Sequence, residues 1–212
     1  MTPDIVFLHT ADVHVNTFNT LMAECFPDLT VKHIVYEQLL ADAREDGLTA
    51  DITQRIQTTM RDANAPVVVC TCSTIGGVAE ATEGDKRFMR IDRAMADKAV
   101  TDGKRILVVA TVDSTLEPTK ELLAQSAKRL AKSPQIEMLL VEGAWAKFEA
   151  GDNDGYLQTI ADTLQENWRG YDVIVLAQAS MAQATSRSEG VDVPILSSPK
   201  LGVLAAGNAL QN

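Results

Sequence analysis

The sequence predicts an α/β protein of two pseudo-symmetric lobes, each a short parallel sheet flanked by helices. Two observations carry this. Short β-branched runs alternate with stretches of helical length, the pattern left by parallel strands joined through crossover helices. The whole series then repeats at an offset of about a hundred residues.

Strands are predicted at Ile5–Leu8, Val31–Val35, Val67–Cys70, Ile106–Ala110, Ile136–Val141 and Val173–Leu176. Each is a short apolar run bounded by turn-forming residues. Helices are predicted at Val15–Cys25, Ala50–Ala63, Arg93–Thr101, Glu117–Ala131 and Gly155–Trp168. Pro118 falls in a first helical turn, where its missing N–H costs nothing.

The repeat pairs elements in order. Ile5-Val6-Phe7-Leu8-His9-Thr10 matches Ile106-Leu107-Val108-Val109-Ala110-Thr111, and Val31–Val35 loosely matches 136–140. Glu45-Asp46-Gly47 matches Glu149-Ala150-Gly151, and Val67–Thr74 matches Val173–Ser180. Arg90-Ile91-Asp92-Arg93 has a counterpart in Ile195-Leu196-Ser197-Ser198. Apolar strands resemble one another by chance, but five elements agreeing in sequence order do not. The expected division is 1–100 plus 193–212 for the first lobe and 101–192 for the second. Lobes of this kind are expected to share a cleft, with the turns at Cys72 and Gln178 on its opposite walls.

Composition narrows the function. The chain has 212 residues, 46% hydrophobic and 23% charged, enough to bury a sizeable core. A net charge of −10 without any block of lysine or arginine argues against nucleic acid or an anionic membrane as partner. The apolar run near the start, Ile5–Leu8, is far too short for a signal peptide or a membrane span. Three cysteines without CxxC or zinc spacing argue against a disulfide framework and for reduced thiols, so a cytoplasmic location is expected.

The chemistry is expected at Val67-Val68-Val69-Cys70-Thr71-Cys72-Ser73-Thr74-Ile75-Gly76-Gly77. A strand passes here into a helix, at the sheet edge where ligands bind in parallel α/β folds. Helix N-terminal N–H groups next to Cys72 would lower a thiol pKa and hold an anion. The competing account is a small buried hydrophobe, the commoner fate of a free cysteine. Cys70 lies within the strand and Cys25 on an apolar helix face, so both are expected in the core.

Ser73 and Thr74 are candidates to bind a carboxylate or to cap the following helix. Thr111, Ser114 and Thr115 follow the first strand of the second lobe and offer the same choice between anion binding and an ordinary turn. His9 and Thr10 end the first strand; a structural histidine is the alternative there. Gln178 and Ser180 are the second-lobe counterparts of Cys72 and Thr74, and Ser197 and Ser198 are weaker candidates.

The segment Phe7-Leu8-His9-Thr10-Ala11-Asp12-Val13-His14 looks like the Asp-x-His opening of the calcineurin-like metallophosphoesterases. Those two-metal sites need further His and Asn ligands downstream. Only His33 remains, and neither Gly-Asn-His-Asp/Glu nor Gly-His-x-His follows. No Gly-rich phosphate loop is present, since Ile75-Gly76-Gly77 is too short.

The chain resembles the aspartate/glutamate racemase superfamily through Cys72-Ser73-Thr74, similar to that family's first-lobe Cys-polar-Thr motif. Its second-lobe Gly-Cys motif corresponds in position to Leu176-Ala177-Gln178-Ala179-Ser180-Met181. The resemblance implies two pseudo-symmetric α/β lobes, no cofactor, no metal, a small carboxylate substrate and a homodimer or higher homo-oligomer. It implies catalysis by Cys72, with His9, Thr10, Ser73, Thr74, Ser114, Thr115, Gln178 and Ser180 around the substrate.

One departure is sharp: Gln178 stands where the second cysteine belongs. Two-base racemisation removes a proton on one face and delivers one on the other, and glutamine does neither near neutral pH. Racemisation, isomerisation or decarboxylation through one thiol, and carboxylate binding without turnover, are the readings this leaves, with the metallophosphoesterase as the remote alternative.

Overall fold

The computed structural model describes residues 2–211. It divides into two compact units, Met1–Ala94 with Pro199–Asn212, and Met95–Ser198. Each unit is built on one four-stranded parallel sheet.

The first unit contains β1 (Ile5–His9), α1 (Val13–Cys25), β2 (Val31–Val35), α2 (Glu37–Asp46), α3 (Ala50–Asp62), β3 (Val67–Cys70), α4 (Ser73–Glu80) and β4 (Arg87–Arg90). Its strand order is β2-β1-β3-β4. The central strands are continuous apolar runs because helices cover both faces. Val6, Leu8, Val68 and Cys70 pack with Leu39 of α2, Ile52, Ile56 and Met60 of α3, and Ile75 of α4. The alternate residues Ile5, Phe7, Val67 and Val69 pack with Phe18 and Met22 of α1 and with Val203 and Ala206. The period-two alternation of a strand thus divides one run of hydrophobes between two cores.

α5 (Arg93–Asp102) leads into the second unit, which holds β5 (Arg105–Ala110), α6 (Leu116–Arg129), β6 (Gln135–Leu140), α7 (Ala144–Glu149), α8 (Asn153–Asn167), β7 (Val173–Leu176) and β8 (Ile195–Ser197). Its order is β6-β5-β7-β8, the same topology. Leu107, Val109, Ile174 and Leu176 pack against Tyr156, Ile160 and Leu164 of α8 and against Met181. A 3-10 segment, Ala179–Arg187, follows β7, and α9 (Ser198–Asn208) closes the fold.

The backbone reproduces the repeat in detail. Thr71 N–H donates to Leu8 O at 2.9 Å, and Ala177 N–H donates to Val109 O at 2.9 Å. Gly47 and Gly151, matched in the sequence, follow α2 and α7 with φ of +75° and +78°, a region glycine enters without strain.

Three differences from the sequence reading have physical reasons. β4 reads Arg87-Phe88-Met89-Arg90, a charged edge strand rather than a β-branched run. α2 and α7 span only ten and six residues, too few turns for a helical periodicity to stand out. The boundary expected at residue 193 falls after Ser198. Ile195 and Leu196 pair in register with Ile174 and Val175 and extend the second sheet, and only α9 returns to the first unit.

Candidate functional site

In the first unit the carboxyl ends of β1 and β3 bring Cys72, Ser73 and Thr74 together with His9 and Thr71. Cys72 occupies the N-cap position of α4 in extended conformation, and its thiol makes no capping bond. The cap position thus falls on the cysteine rather than on Ser73 or Thr74. Cys72 is partly buried, whereas Cys70 is fully buried, its thiol directed at Cys72 O at 3.6 Å. Burial, reinforced by the neighbouring Cys72, pushes the Cys70 thiol far above its ordinary range. Cys70 is a core residue, and Cys25 packs partly buried beside Phe18 and Met22.

The turn is anchored from below. Arg90 reaches under α4 and donates from Nη2 to Ser73 O at 3.2 Å. Its Nε and Nη2 also donate to the two oxygens of Asp92, at 2.6 and 3.0 Å. Burial works against the Arg90 charge, but the Asp92 carboxylate, with smaller help from Glu80 and Cys70, more than offsets it and raises the guanidinium pKa. Gly76 leaves the space this needs, since a Cβ there would lie 3.1 Å from Arg90 Nε.

His9 is fully buried at the end of β1. Its Nδ1 lies 2.8 Å from Thr71 Oγ1 and its Nε2 2.8 Å from His33 Nδ1. Thr71 Oγ1 donates to Leu8 O at 3.1 Å. The threonine oxygen therefore accepts from His9 Nδ1–H, and neutral His9 accepts at Nε2 from His33 Nδ1–H. Burial, with the charges of His33 and His14, lowers the His9 pKa to about 3. The far nitrogen of His33 is 2.9 Å from the exposed amide of Asn19. His9 is thus held as a neutral hydrogen-bonding spacer behind the Cys72 turn. Thr10 follows it, buried.

In the second unit the corresponding turn is polar but carries no thiol. Gln178 Oε1 accepts from Thr111 N–H at 2.7 Å and from Thr111 Oγ1 at 3.1 Å. Thr111 Oγ1 lies 3.3 Å from Tyr156 OH, which lies 2.8 Å from Ser180 Oγ. Burial raises the Tyr156 pKa, with Ser180 and Thr111 pulling the other way. Ser114 Oγ is buried without a partner among the described residues. Thr115 is buried, and its carbonyl accepts from Thr119 Oγ1 at 2.8 Å. Ser197 belongs to β8, and Ser198 is buried at the start of α9.

Sequence reasoning missed Thr71, His33, Asn19, Arg90, Asp92 and Tyr156. The only signal for the ion pair was the charged-apolar-charged string Arg90-Ile91-Asp92, already matched in the repeat. Tyr156 reads as one more apolar position of α8.

Two α/β units of one topology, with a free thiol at the strand-to-helix turn of the first, define the two-lobed racemase class of folds. The profile of the Asp/Glu/Hydantoin racemase family matches residues 17–206, and the chain belongs to that family. Its fold is similar to that of the glutamate racemase isoform RacE1 from Bacillus anthracis, with TM-score 0.72 at 15% identity over 99% of this chain and 82% of that one. The Picrophilus torridus aspartate racemase gives 0.72 at 10% identity over 98% and 93%. The allantoin racemase from Klebsiella pneumoniae gives 0.57 at 15% identity over 98% and 87%. At these identities the likeness is one of fold. No curated protein matches the sequence. Among the described residues, no group of three or more His, Cys, Asp or Glu is arranged to hold a metal ion. Among those residues too, no helix is long and apolar enough to cross a membrane.

Proposed function

We propose that this racemase-family protein is a cofactor-independent enzyme that moves a proton at the carbon next to a carboxylate, with Cys72 as the acid/base. One observation carries the reading: a partly exposed thiol, without a hydrogen-bond partner among the described residues, at the N-cap of α4. A thiolate there removes the α-proton and the resulting thiol returns it. Charge accumulates on the substrate carboxylate as the C–H bond breaks. Ser73, Thr74 and the N–H groups of the first turn of α4 stabilise it.

Gln178 cannot serve as a second base, so proton transfer at this carbon runs through one sulfur. That limits the chemistry to one-base racemisation or isomerisation, in which the sulfur takes the α-proton and gives it back, or to decarboxylation, in which the C–CO2 bond breaks, CO2 leaves and the thiol protonates the carbon. A second reading, carboxylate binding without turnover, draws on the same replacement.

The test is deuterium incorporation at Cα in D2O, over a panel including aspartate, glutamate and other 2-substituted carboxylic acids. Wild type is expected to label at least one acid, and Cys72→Ser to slow labelling by roughly 10²–10⁴. No labelling, with carboxylate-induced thermal stabilisation that survives Cys72→Ala, establishes the binding reading instead.

A further inference from the structure

The amide of Gln178 has only one orientation open to it. A backbone N–H donates and never accepts, so the Thr111 N–H at 2.7 Å fixes the carboxamide oxygen toward Thr111. The NH2 group therefore faces the other way. The hydroxyls behind it are ordered by the same logic. Thr111 spends its single hydroxyl proton on Gln178 Oε1 and so accepts from Tyr156 OH. Tyr156, having donated, accepts from Ser180 Oγ. The chain runs from Ser180 through Tyr156 and Thr111 to Gln178, each proton pointing toward the carboxamide oxygen. Tyr156 is 1% exposed and Thr111 5%, so water does not compete for these bonds. Such a chain polarises its last member and strengthens it as a donor. Gln178 itself is only partly buried, and its Nε2 has no partner among the described residues.

We infer that Gln178 is the specificity-determining group of the second unit, a fixed hydrogen-bond donor for a proton-free oxygen such as that of a carboxylate or a developing enolate. The carboxylate identity rests on the proposed function; the donor role rests on the geometry of this unit alone. Tyr156 is a positioning residue that acts through Thr111. Ser180 reaches ligand only as an acceptor, because its proton is committed to Tyr156. A ligand presenting an ammonium or hydroxyl hydrogen at this point sets donor against donor and leaves both unpaired, an arrangement that discriminates strongly.

Side-chain amide NMR of the ¹⁵N-labelled full chain tests this, with the Gln178 signal assigned by its loss in Gln178→Glu. Without ligand, the Thr111 N–H is expected to be protected from exchange while the Gln178 Nε2 protons exchange freely. Tyr156→Phe is expected to lower the Thr111 protection without altering distant amides. On titration with malonate, aspartate or glutamate of either hand, the Gln178 Nε2 protons are expected to move downfield for at least one acid. Gln178→Glu keeps an acceptor for Thr111 but offers no donor, and should bind that acid about tenfold more weakly or worse. Gln178→Met, uncharged and similar in length, should show the same loss.

Protected Nε2 protons, an exposed Thr111 N–H, silence toward every acid, or equal binding by wild type and both variants overturns the inference. The two readings fail separately. A Gln178 shift without Cα deuteration sinks the catalytic role of Cys72 alone, and deuteration unaffected by Gln178→Glu or Gln178→Met sinks the donor role alone.

Discussion

Arg90 and Asp92 form a two-pronged ion pair with side chains only 2% and 1% exposed. The same guanidinium holds Ser73 O, so one buried cation braces both the end of β4 and the first turn of α4. Taking the charges out of water is costly, and their mutual contact offsets that cost only while both are present.

Asp92→Asn is accordingly expected to destabilise the protein by about 3–5 kcal/mol in urea unfolding, the usual result of stranding a buried charge. Arg90→Met is expected to cost a similar amount and also to speed alkylation of Cys72, because the turn loses its anchor. The double replacement Arg90→Met with Asp92→Asn should lose much less stability than the two single losses together but should not recover the slow alkylation. Strict additivity of the two single losses would show that the pair is not coupled.

The return of α9 to the first unit depends on the absence of a side chain at Gly202. A Cβ on Gly202 would lie 2.2 Å from Ile91 O and 2.4 Å from Ile91 Cδ1. The first of these is backbone at the end of β4, which cannot step aside as a side-chain tip can. Gly202→Ala should therefore cost at least about 1–3 kcal/mol. The check is urea unfolding beside Gly190→Ala, where no atom lies within 4 Å of the new Cβ and only the φ of +78° opposes it. Wild-type stability for Gly202→Ala would mean that α9 is not packed as described.

These contacts mark where sequence ceased to be informative. Ile5–Leu8, Val67–Cys70, Ile106–Ala110 and Val173–Leu176 announce themselves because strands covered on both faces need hydrophobes at every position. The repeat, read from those strands, led to the two sheets and to the Cys72 turn. Nothing local marks Arg90 as buried, because its burial is tolerable only through Asp92 and Ser73. The Gln178–Thr111 bond spans 67 residues and the Tyr156–Ser180 bond 24. The first exists because β5 and β7 are neighbours, the second because α8 packs beside the segment that follows β7, and no local pattern specifies either. The His9–Thr71 contact, across β1 and β3, is hidden for the same reason.

That contact has a pH signature. A histidine near 6.5 when unfolded and about 3 when folded binds its proton more readily in the unfolded chain. Its contribution to stability is complete above pH 6.5 and declines as the pH falls toward 3. By pH 5 the loss from His9 alone is roughly 2 kcal/mol. His14 and His33, both lowered by burial, add in the same direction. Urea unfolding at pH 7.5, 6 and 5 should show this slope, and His9→Phe should flatten it. An unchanged slope in that variant would place the acid sensitivity elsewhere.

The thiols offer the most direct contrast, because Cys70 and Cys72 are separated by one residue and differ in exposure. Cys70 is sealed in the core with its pKa pushed up by burial, so it carries almost no thiolate at neutral pH. Cys72 stands partly open at the head of α4. Iodoacetamide followed by site-resolved mass spectrometry should label Cys72 of the native protein at least about a hundredfold faster than Cys70. In urea the two rates should converge, since unfolding removes the only difference between them. A carboxylate substrate bound at the α4 N-terminus should protect Cys72 and leave the already negligible Cys70 rate unchanged. Comparable native labelling of both would show that the strand end opens readily, and a sulfur so exposed to solvent would be poorly placed to return the proton it had taken to the same carbon.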